Sequence, residues 1–194
     1  MKNALIIFAR NPVIGNVKKR LAAEAGIDIA FEIYVKLLYH TYKCTKEISC
    51  EKFLYLTDFK DLDLFDENYR QELQSGKDLG EKMKNAFNDL LRSGFEKILL
   101  IGTDCPGLNA DILNQAFDKL DEAEFVLGPA KDGGYYLLGL KENSETLFEN
   151  INWSSNEVLK QTVEKIKKLN KNYYLLEVLS DIDNLSDLNE TGFA

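Results

Sequence analysis

The chain has 194 residues, 45% of them apolar and 29% charged, with a net charge of −8. That balance suits one globular domain, residues 1–194, with a sizeable core, and it argues against a general nucleic-acid binder, because a phosphate backbone needs a basic face. No apolar run approaches the ~20 residues of a membrane span, and Cys44, Cys50 and Cys105 lack CxxC spacing, which fits a reduced cytoplasm and offers no zinc site.

Short apolar runs alternate with longer helical patterns. Ala4 to Ala9 is continuous and apolar, a strand buried on both faces. A loop with Pro12 and Gly15 follows, then a helix from Val17 to Ala25, broken at Gly26. Asp28 is placed to cap a long second helix to about Glu47, with Ile29, Ile33, Leu37 and Thr41 on one face. Phe53 to Leu56 is the second strand, ending at Asp58; residues 59–77 are polar and irregular, with a short strand near Glu72-Leu73. Asp78 or Leu79 opens a helix that runs to Gly94, Ile98 to Gly102 is a strand, and Asn109 or Ala110 starts a helix to about Leu120. Phe125 to Gly128 and Gly134 to Leu140 are strands joined by Asp132-Gly133-Gly134, a hairpin signal. Ser154-x-x-Glu157 is a capping box opening a helix to about Leu169. Tyr173 to Leu179 closes the sheet, and a short acidic helix ends the chain. Strands separated by helices imply parallel βαβ units, and the hairpin adds an antiparallel member. The expectation is an α/β fold around a mostly parallel mixed sheet.

In a parallel sheet the strand ends share one edge, where ligands bind. Arg10, Asp58, Asp104 and Lys131-Asp132 all fall just past strand ends. Asp104 follows Ile101-Gly102-Thr103, and Asp181-Ile182-Asp183 follows the last apolar run. Of Asp181 and Asp183, only one is expected to face the site. Carboxylates without a histidine or thiolate partner suit Mg²⁺ or Mn²⁺, which also bind phosphate oxygens. His40, the one histidine, sits mid-helix and reads as structural. The segment from Arg10 through Lys18, Lys19 and Arg20 pairs a turn with a helix N-terminus and several cations, a workable phosphate cradle. It matches neither GxxxxGK[ST] nor GxGxxG. Lys18 and Arg20 point different ways on a helix, and Lys19 is expected in solvent. Gly80, in the first turn of a helix, marks a close approach of backbone to something. Asp132 with Gly133 and Gly134 is either a tight turn or a glycine-lined acceptor platform in which Asp132 acts as base. Trp153 is either core or a ligand wall.

Taken together, FARNPVIGNVKKRLA (8–22), GKDLGEKM (76–83), IGTDCPGL (101–108), GPAKDGGYYLLGL (128–140), the Trp153-Ser154 helix start and DIDNLSDL (181–188) span nearly the whole chain. In order and spacing this set resembles one bacterial family of glycosyltransferase-A-fold proteins. Its members are described as glycosyltransferases or as transferases associated with radical-SAM and selenium-related proteins. Its wider relatives include 2-phospholactate guanylyltransferase and molybdenum cofactor guanylyltransferase. The chain departs at Lys19 and Asn184, where threonine is common, and at Lys82, where the family has arginine; the last change keeps the charge but loses the bidentate fork.

The resemblance implies a three-layer α/β/α nucleotide-diphospho-sugar transferase (GT-A) fold. It implies Asp104 as a catalytic metal aspartate with Asp183 as the second ligand of Mg²⁺ or Mn²⁺. The cradle, Arg10, Gly15, Lys18 and Arg20, would hold phosphates; Asp58, Asp78 and Gly80 would lie near base and ribose; Gly133, Gly134 and Trp153 would face the acceptor. The expected function is a cytoplasmic, metal-dependent transferase using a nucleotide or nucleotide-sugar donor and a small-molecule acceptor. The donor is an NDP-sugar, or alternatively an NTP in nucleotidyl transfer. A non-catalytic nucleotide-binding regulator is the rival from another class.

Overall fold

A computed structural model of the protein describes residues 2–142, 144–153 and 155–193. In chain order the elements are β1 (Asn3–Ala9), α1 (Lys19–Ala25), α2 (Ile27–Thr45), β2 (Glu51–Leu56), β3 (Tyr69–Leu73), α3 (Leu79–Arg92), β4 (Lys97–Ile101), α4 (Ala110–Glu122), β5 (Phe125–Pro129), β6 (Tyr135–Leu140), a 3-10 turn (Glu145–Phe148), α5 (Val158–Lys168), β7 (Tyr173–Leu175) and α6 (Leu185–Thr191). The strands form one sheet in the order β3-β2-β1-β4-β6-β5-β7. Pairing is parallel except on both sides of β6.

The alternation of strand side chains builds two cores. In β1, Leu5, Ile7 and Ala9 pack with Tyr34 and Leu38 of α2 and Leu113 of α4. Ala4, Ile6 and Phe8 pack on the opposite face with Met83 and Phe87 of α3 and Ile166 of α5. Helices therefore cover both faces, giving three layers. The crossover through α1 and α2 carries the chain from β1 to β2, and the one through α3 carries it back past β1 to β4. The strand order reverses between β1 and β4, the position where open sheets bind ligands.

Several element ends differ from the sequence reading. Asp28 does not cap α2: Gly26 (φ 96°) occupies the N-cap position and Asp28 lies in the first helical turn. Ile29 is accordingly 49% exposed instead of on the buried face with Ile33 and Leu37. The last strand, expected to run to Leu179, stops at Leu175, and Val178 beyond it is exposed. Beyond it the chain touches the sheet again through the parallel bridge Ala130–Leu179. The strand expected near Glu72-Leu73 begins earlier, at Tyr69, whose ring is buried. The expected Ser154 cap lies outside the described residues; Glu157 holds the N-cap position of α5 and makes no side-chain cap bond. By contrast, Asp78 and Asn109 cap α3 and α4 by accepting the Glu81 and Ile112 N–H groups.

After the bridge the chain crosses the sheet edge as a strap, residues 180–184, into α6. Its anchor is Ile182, fully buried among Leu21 of α1 and Ala30, Ile33 and Leu37 of α2. Its N–H donates to the Asp104 carbonyl at 2.9 Å. A fully buried isoleucine contributes about 1.5–3 kcal/mol. Here that energy fixes the acids on either side of it.

Candidate functional site

The edge formed by the C-terminal ends of β1 to β4, with the start of antiparallel β6, opens into a cleft of about 710 Å³. Its lining includes Arg10, Lys18, Lys19, Arg20, Asp78, Lys82, Asp104, Asp181 and Asp183. Residues far apart in sequence meet there because parallel strands deliver their ends to one side.

The acids gather around one cation. The Lys18 ammonium donates to Asp104 Oδ1 at 2.6 Å and to the Ile182 carbonyl at 2.6 Å, and it lies 3.9 Å from Asp183 Oδ1. Its side chain is only 4% exposed, whereas Asp104 and Asp183 are 46% and 43% exposed. Arg20 reaches Asp183 from outside, 3.2 Å from Oδ2. Arg10, Lys19 and Lys82 make no ion pair among the described residues. The backbone of Arg10 is pinned by Tyr34, whose hydroxyl donates to the Arg10 carbonyl and accepts the Arg10 N–H, both at 2.8 Å. Burial and the neighbouring Asp104 push the Tyr34 phenol up, so it stays a neutral donor.

Asp104 and Asp183 suit a hard divalent cation, since both already converge on one positive charge with oxygen donors. Among the described residues no three His, Cys, Asp or Glu side chains come together as a metal-holding group. A cation held by these two acids would complete its shell with phosphate oxygens and water, the usual habit of Mg²⁺. Cys105 is no thiolate ligand or nucleophile: burial, then Asp181, push its thiol up to about 12.

Only one of Asp181 and Asp183 is expected at the site, but both line the cleft: residues two apart in an extended segment share a face, and Ile182 between them takes the other and is buried. Burial, then the charges of Asp104, Asp132 and Asp183, push the Asp181 carboxyl up to about 7, against the opposing pull of Lys18. The fold thus favours the protonated acid. The stability gained from it is complete below the ordinary carboxylate range and is lost as pH rises through about 7. Asp181→Asn should therefore raise the melting temperature more at pH 8 than at pH 5, where less of the stability has been lost. The expected rise is roughly 2–4 °C, the shift that about 1 kcal/mol gives in a chain of this size. Melting curves at the two pH values check this; an equal effect at both would show that Asp181 does not titrate in this range.

The other residues singled out by sequence occupy distinct places. Asp78 lines the cleft and its Oδ1 caps α3, accepting Glu81 N–H at 2.9 Å. Gly15 (φ 82°) turns the exposed loop before α1 and lies outside the lining. Asp58 is also outside it: Thr57 lines the wall, while buried Asn11 accepts the Asp58 N–H at 2.8 Å and holds the loop. Gly80 lies directly under the Trp153 indole, so the close approach expected there is to a side chain of the same protein. Trp153 borders a second cavity of about 490 Å³ with Phe148 and Ile151. Gly133 and Gly134 form the β5–β6 turn, where the Gly134 N–H donates to Asp132 Oδ1 at 2.8 Å. Asp132 stands outside the lining, yet its charge acts on Asp181. Lys19 is exposed, as expected, and stands at the rim of the cleft that it also lines.

Gln74 was not singled out, since it falls in the stretch read as irregular. It follows β3, lines the cleft, and spends its side-chain N–H groups on the Ala9 and Tyr55 carbonyls at 3.2 and 3.1 Å. Only an amide NH₂ bonds two carbonyls, so the Gln74 Oε1 is left as an acceptor.

Residues 40–155 match the model of a family described as an uncharacterized protein conserved in bacteria (DUF2064). No functionally curated protein matches the sequence. Among solved structures, a protein of Desulfovibrio desulfuricans G20, provisionally described as a nucleotide-diphospho-sugar transferase, is 27% identical. It superposes with a TM-score of 0.92 over 98% of this chain and 87% of its own. The 4-diphosphocytidyl-2C-methyl-D-erythritol synthase of Anaerococcus prevotii DSM 20548 is 12% identical, with a TM-score of 0.64 over 97% of this chain and 93% of its own. The inositol-1-phosphate CTP transferase of T. maritima is 18% identical, with a TM-score of 0.59 over 100% and 94%. The last two share the fold. The three-layer sheet is thus the nucleotide-diphospho-sugar transferase architecture, and its structural neighbours are nucleotide-using transferases. Among the described residues no helix is long and apolar enough to cross a membrane.

Proposed function

The chain belongs to the DUF2064 family of bacterial proteins, and from that premise we propose that it is a metal-dependent transferase with a nucleotide donor, an NDP-sugar whose sugar passes to a small-molecule acceptor. One observation carries this reading. Asp104 and Asp183 converge on a single cation beside Arg10, Arg20 and Lys82, all in one cleft at the point where the strand order reverses.

In the proposed reaction the acceptor oxygen bonds the sugar carbon. The bond from that carbon to the diphosphate breaks, the nucleoside diphosphate leaves, and the acceptor's proton passes to a base. Arg10, Lys18, Arg20 and Lys82 hold the phosphates and offset their charge. Asp78 in the cleft lining belongs to the nucleoside end, with Asp58 on the loop behind Thr57 and Gly80 packed under Trp153; the turn of Asp132, Gly133 and Gly134 belongs to the acceptor side, with Asp132 as the base. Asp104 and Asp183 would hold Mg²⁺ or Mn²⁺, which would neutralise the charge of the leaving diphosphate.

A second reading is nucleotidyl transfer. The cluster of Arg10, Lys19 and Lys82, none paired with an acid among the described residues, favours it, since a triphosphate carries more charge than a diphosphate. A phosphorylated substrate would then attack the α-phosphorus and release pyrophosphate.

A thermal-shift panel of NTPs and NDP-sugars, with and without Mn²⁺, tests the donor, because a ligand of the native state raises its melting temperature. Product analysis then separates the readings: nucleoside diphosphate marks sugar transfer and pyrophosphate marks nucleotidyl transfer. Binding without turnover of any donor would favour a regulator. Arg20→Ala should weaken di- and triphosphates by about tenfold and nucleosides little, the loss of one charge-assisted contact; equal losses would place Arg20 away from phosphate.

A further inference from the structure

We infer that Lys18 is a resident cation that closes the divalent site of the resting protein and yields it only when a phosphate ligand offers the ammonium another partner. This rests on the donor-and-metal reading above and adds to it a control on metal entry.

The ammonium has the surroundings of a bound metal ion. Its neighbours are Asp104 Oδ1 and the Ile182 carbonyl at 2.6 Å, and Asp183 Oδ1 at 3.9 Å. All are oxygens, the donor class that Mg²⁺ and Mn²⁺ take. The cage is fixed, because Ile182 is fully buried and its N–H is bonded to the Asp104 carbonyl at 2.9 Å. The lysine enters it from within the protein, with its stem buried, while both acids face the cleft.

The backbone is bent to achieve this. Lys18 has φ 46° and ψ 48°, a left-handed conformation that side chains with a Cβ avoid. A solvated phosphate-binding lysine would need no such strain. Here the strain drives the side chain under the strap.

A divalent cation and an ammonium cannot share this cage, since charges of the same sign a few ångströms apart repel strongly where water is scarce. Metal alone must displace Lys18 and leave its charge buried without a partner. An arriving di- or triphosphate changes the balance, because its oxygens can take the ammonium and complete the metal's shell. Metal and nucleotide should then bind cooperatively, each tightening the other by the same factor.

The test is Mn²⁺ binding without nucleotide, read from the electron paramagnetic resonance signal of free Mn²⁺. Lys18→Asn is neutral, too short to reach the cage, and tolerant of left-handed backbone. It should bind Mn²⁺ at least tenfold tighter than the wild type, and adding Asp104→Asn should abolish the gain. Lys18→Arg, which keeps the charge, should show no gain. Lys18→Met, which keeps the buried stem, repeats the measurement if asparagine loosens the fold. Mn²⁺ binding to the neutral variants no tighter than to wild type overturns the inference, and leaves the metal reading standing if Asp104→Asn still weakens Mn²⁺ binding with nucleotide present. Loss of nothing on Asp104→Asn in either condition overturns both.

Discussion

Asp104→Asn should fold normally and lose metal-dependent nucleotide binding by at least about 100-fold, more than the 10- to 100-fold typical of residues that only support a metal ligand. The fold should survive because what Asp104 gives the structure is mostly backbone: its carbonyl accepts the Ile182 N–H at 2.9 Å, and asparagine keeps that bond. The amide oxygen also remains an acceptor for Lys18. What disappears is one negative charge at the point where Asp104 and Asp183 converge. A neutral oxygen is a poor partner for a divalent ion that must shed water to bind. Circular dichroism and melting temperature should match the wild type within a few degrees. Calorimetric titration with nucleotide, with and without Mn²⁺, reads the loss. Unchanged binding in both titrations would make Asp104 a turn residue and remove the central support for a metal-dependent transferase.

The sheet was legible because its strands are buried on both faces and announce themselves as unbroken apolar runs. Ala4 to Ala9 and Ile98 to Ile101 admit no other reading, and the glycines of 133–134 gave the hairpin that makes the sheet mixed. Convergence of Arg10 and Asp104 followed from the shared edge of parallel strands, whereas Asp58 and Lys131-Asp132, placed at the same edge, stand outside the cleft lining. The misread parts depend on partners remote in sequence. Ile29 fits a helical stripe, but the stripe's edge is set by how far α1 and α6 cover α2, which no local pattern states. Asp181 belongs with Asp183 because residues two apart share a face, and what sets that face toward the cleft is the burial of Ile182 against α1 and α2, which lie far upstream in sequence. Gly80 announced a close approach correctly, but the sequence could not say that Trp153, 73 positions away, makes it. Lys18 reads as a phosphate ligand from its place at a helix start, and what that place does not state is its pairing with Asp104. Its left-handed backbone, which turns the side chain inward, has no local signature in the sequence.

Gly133→Ala should be the most damaging substitution of a single methyl group in this chain, whereas the same change at Gly134 should be nearly silent. Gly133 has φ 90°, a conformation open to glycine and strained for any side chain. A Cβ there would also overlap the backbone carbonyl of Asn156, which leads into α5. That carbonyl cannot retreat freely, because Gly133 is held on both sides. Its N–H donates to Ala130 O at 3.1 Å and its own carbonyl accepts the Leu159 N–H at 2.9 Å. Strain and overlap together should cost about 3 kcal/mol or more, roughly 6–12 °C in melting temperature. Gly134 has no such constraint: its nearest neighbour for an added Cβ is Asp132 Oδ1 at 3.1 Å, the end of a mobile side chain. The damage at Gly133 should also reach the cleft. The turn's Lys131 N–H donates to Leu179 O at 2.9 Å, and the Leu179 N–H donates to Pro129 O at 3.0 Å. Those two bonds dock the strap that carries Asp181, Ile182 and Asp183. At a temperature where Gly133→Ala remains folded, its metal-dependent nucleotide binding should fall with its stability, while Gly134→Ala keeps both. If Gly133→Ala melts like the wild type, the turn is looser than its bonds imply. If it melts early but binds nucleotide and metal normally, the strap is held by Ile182 alone.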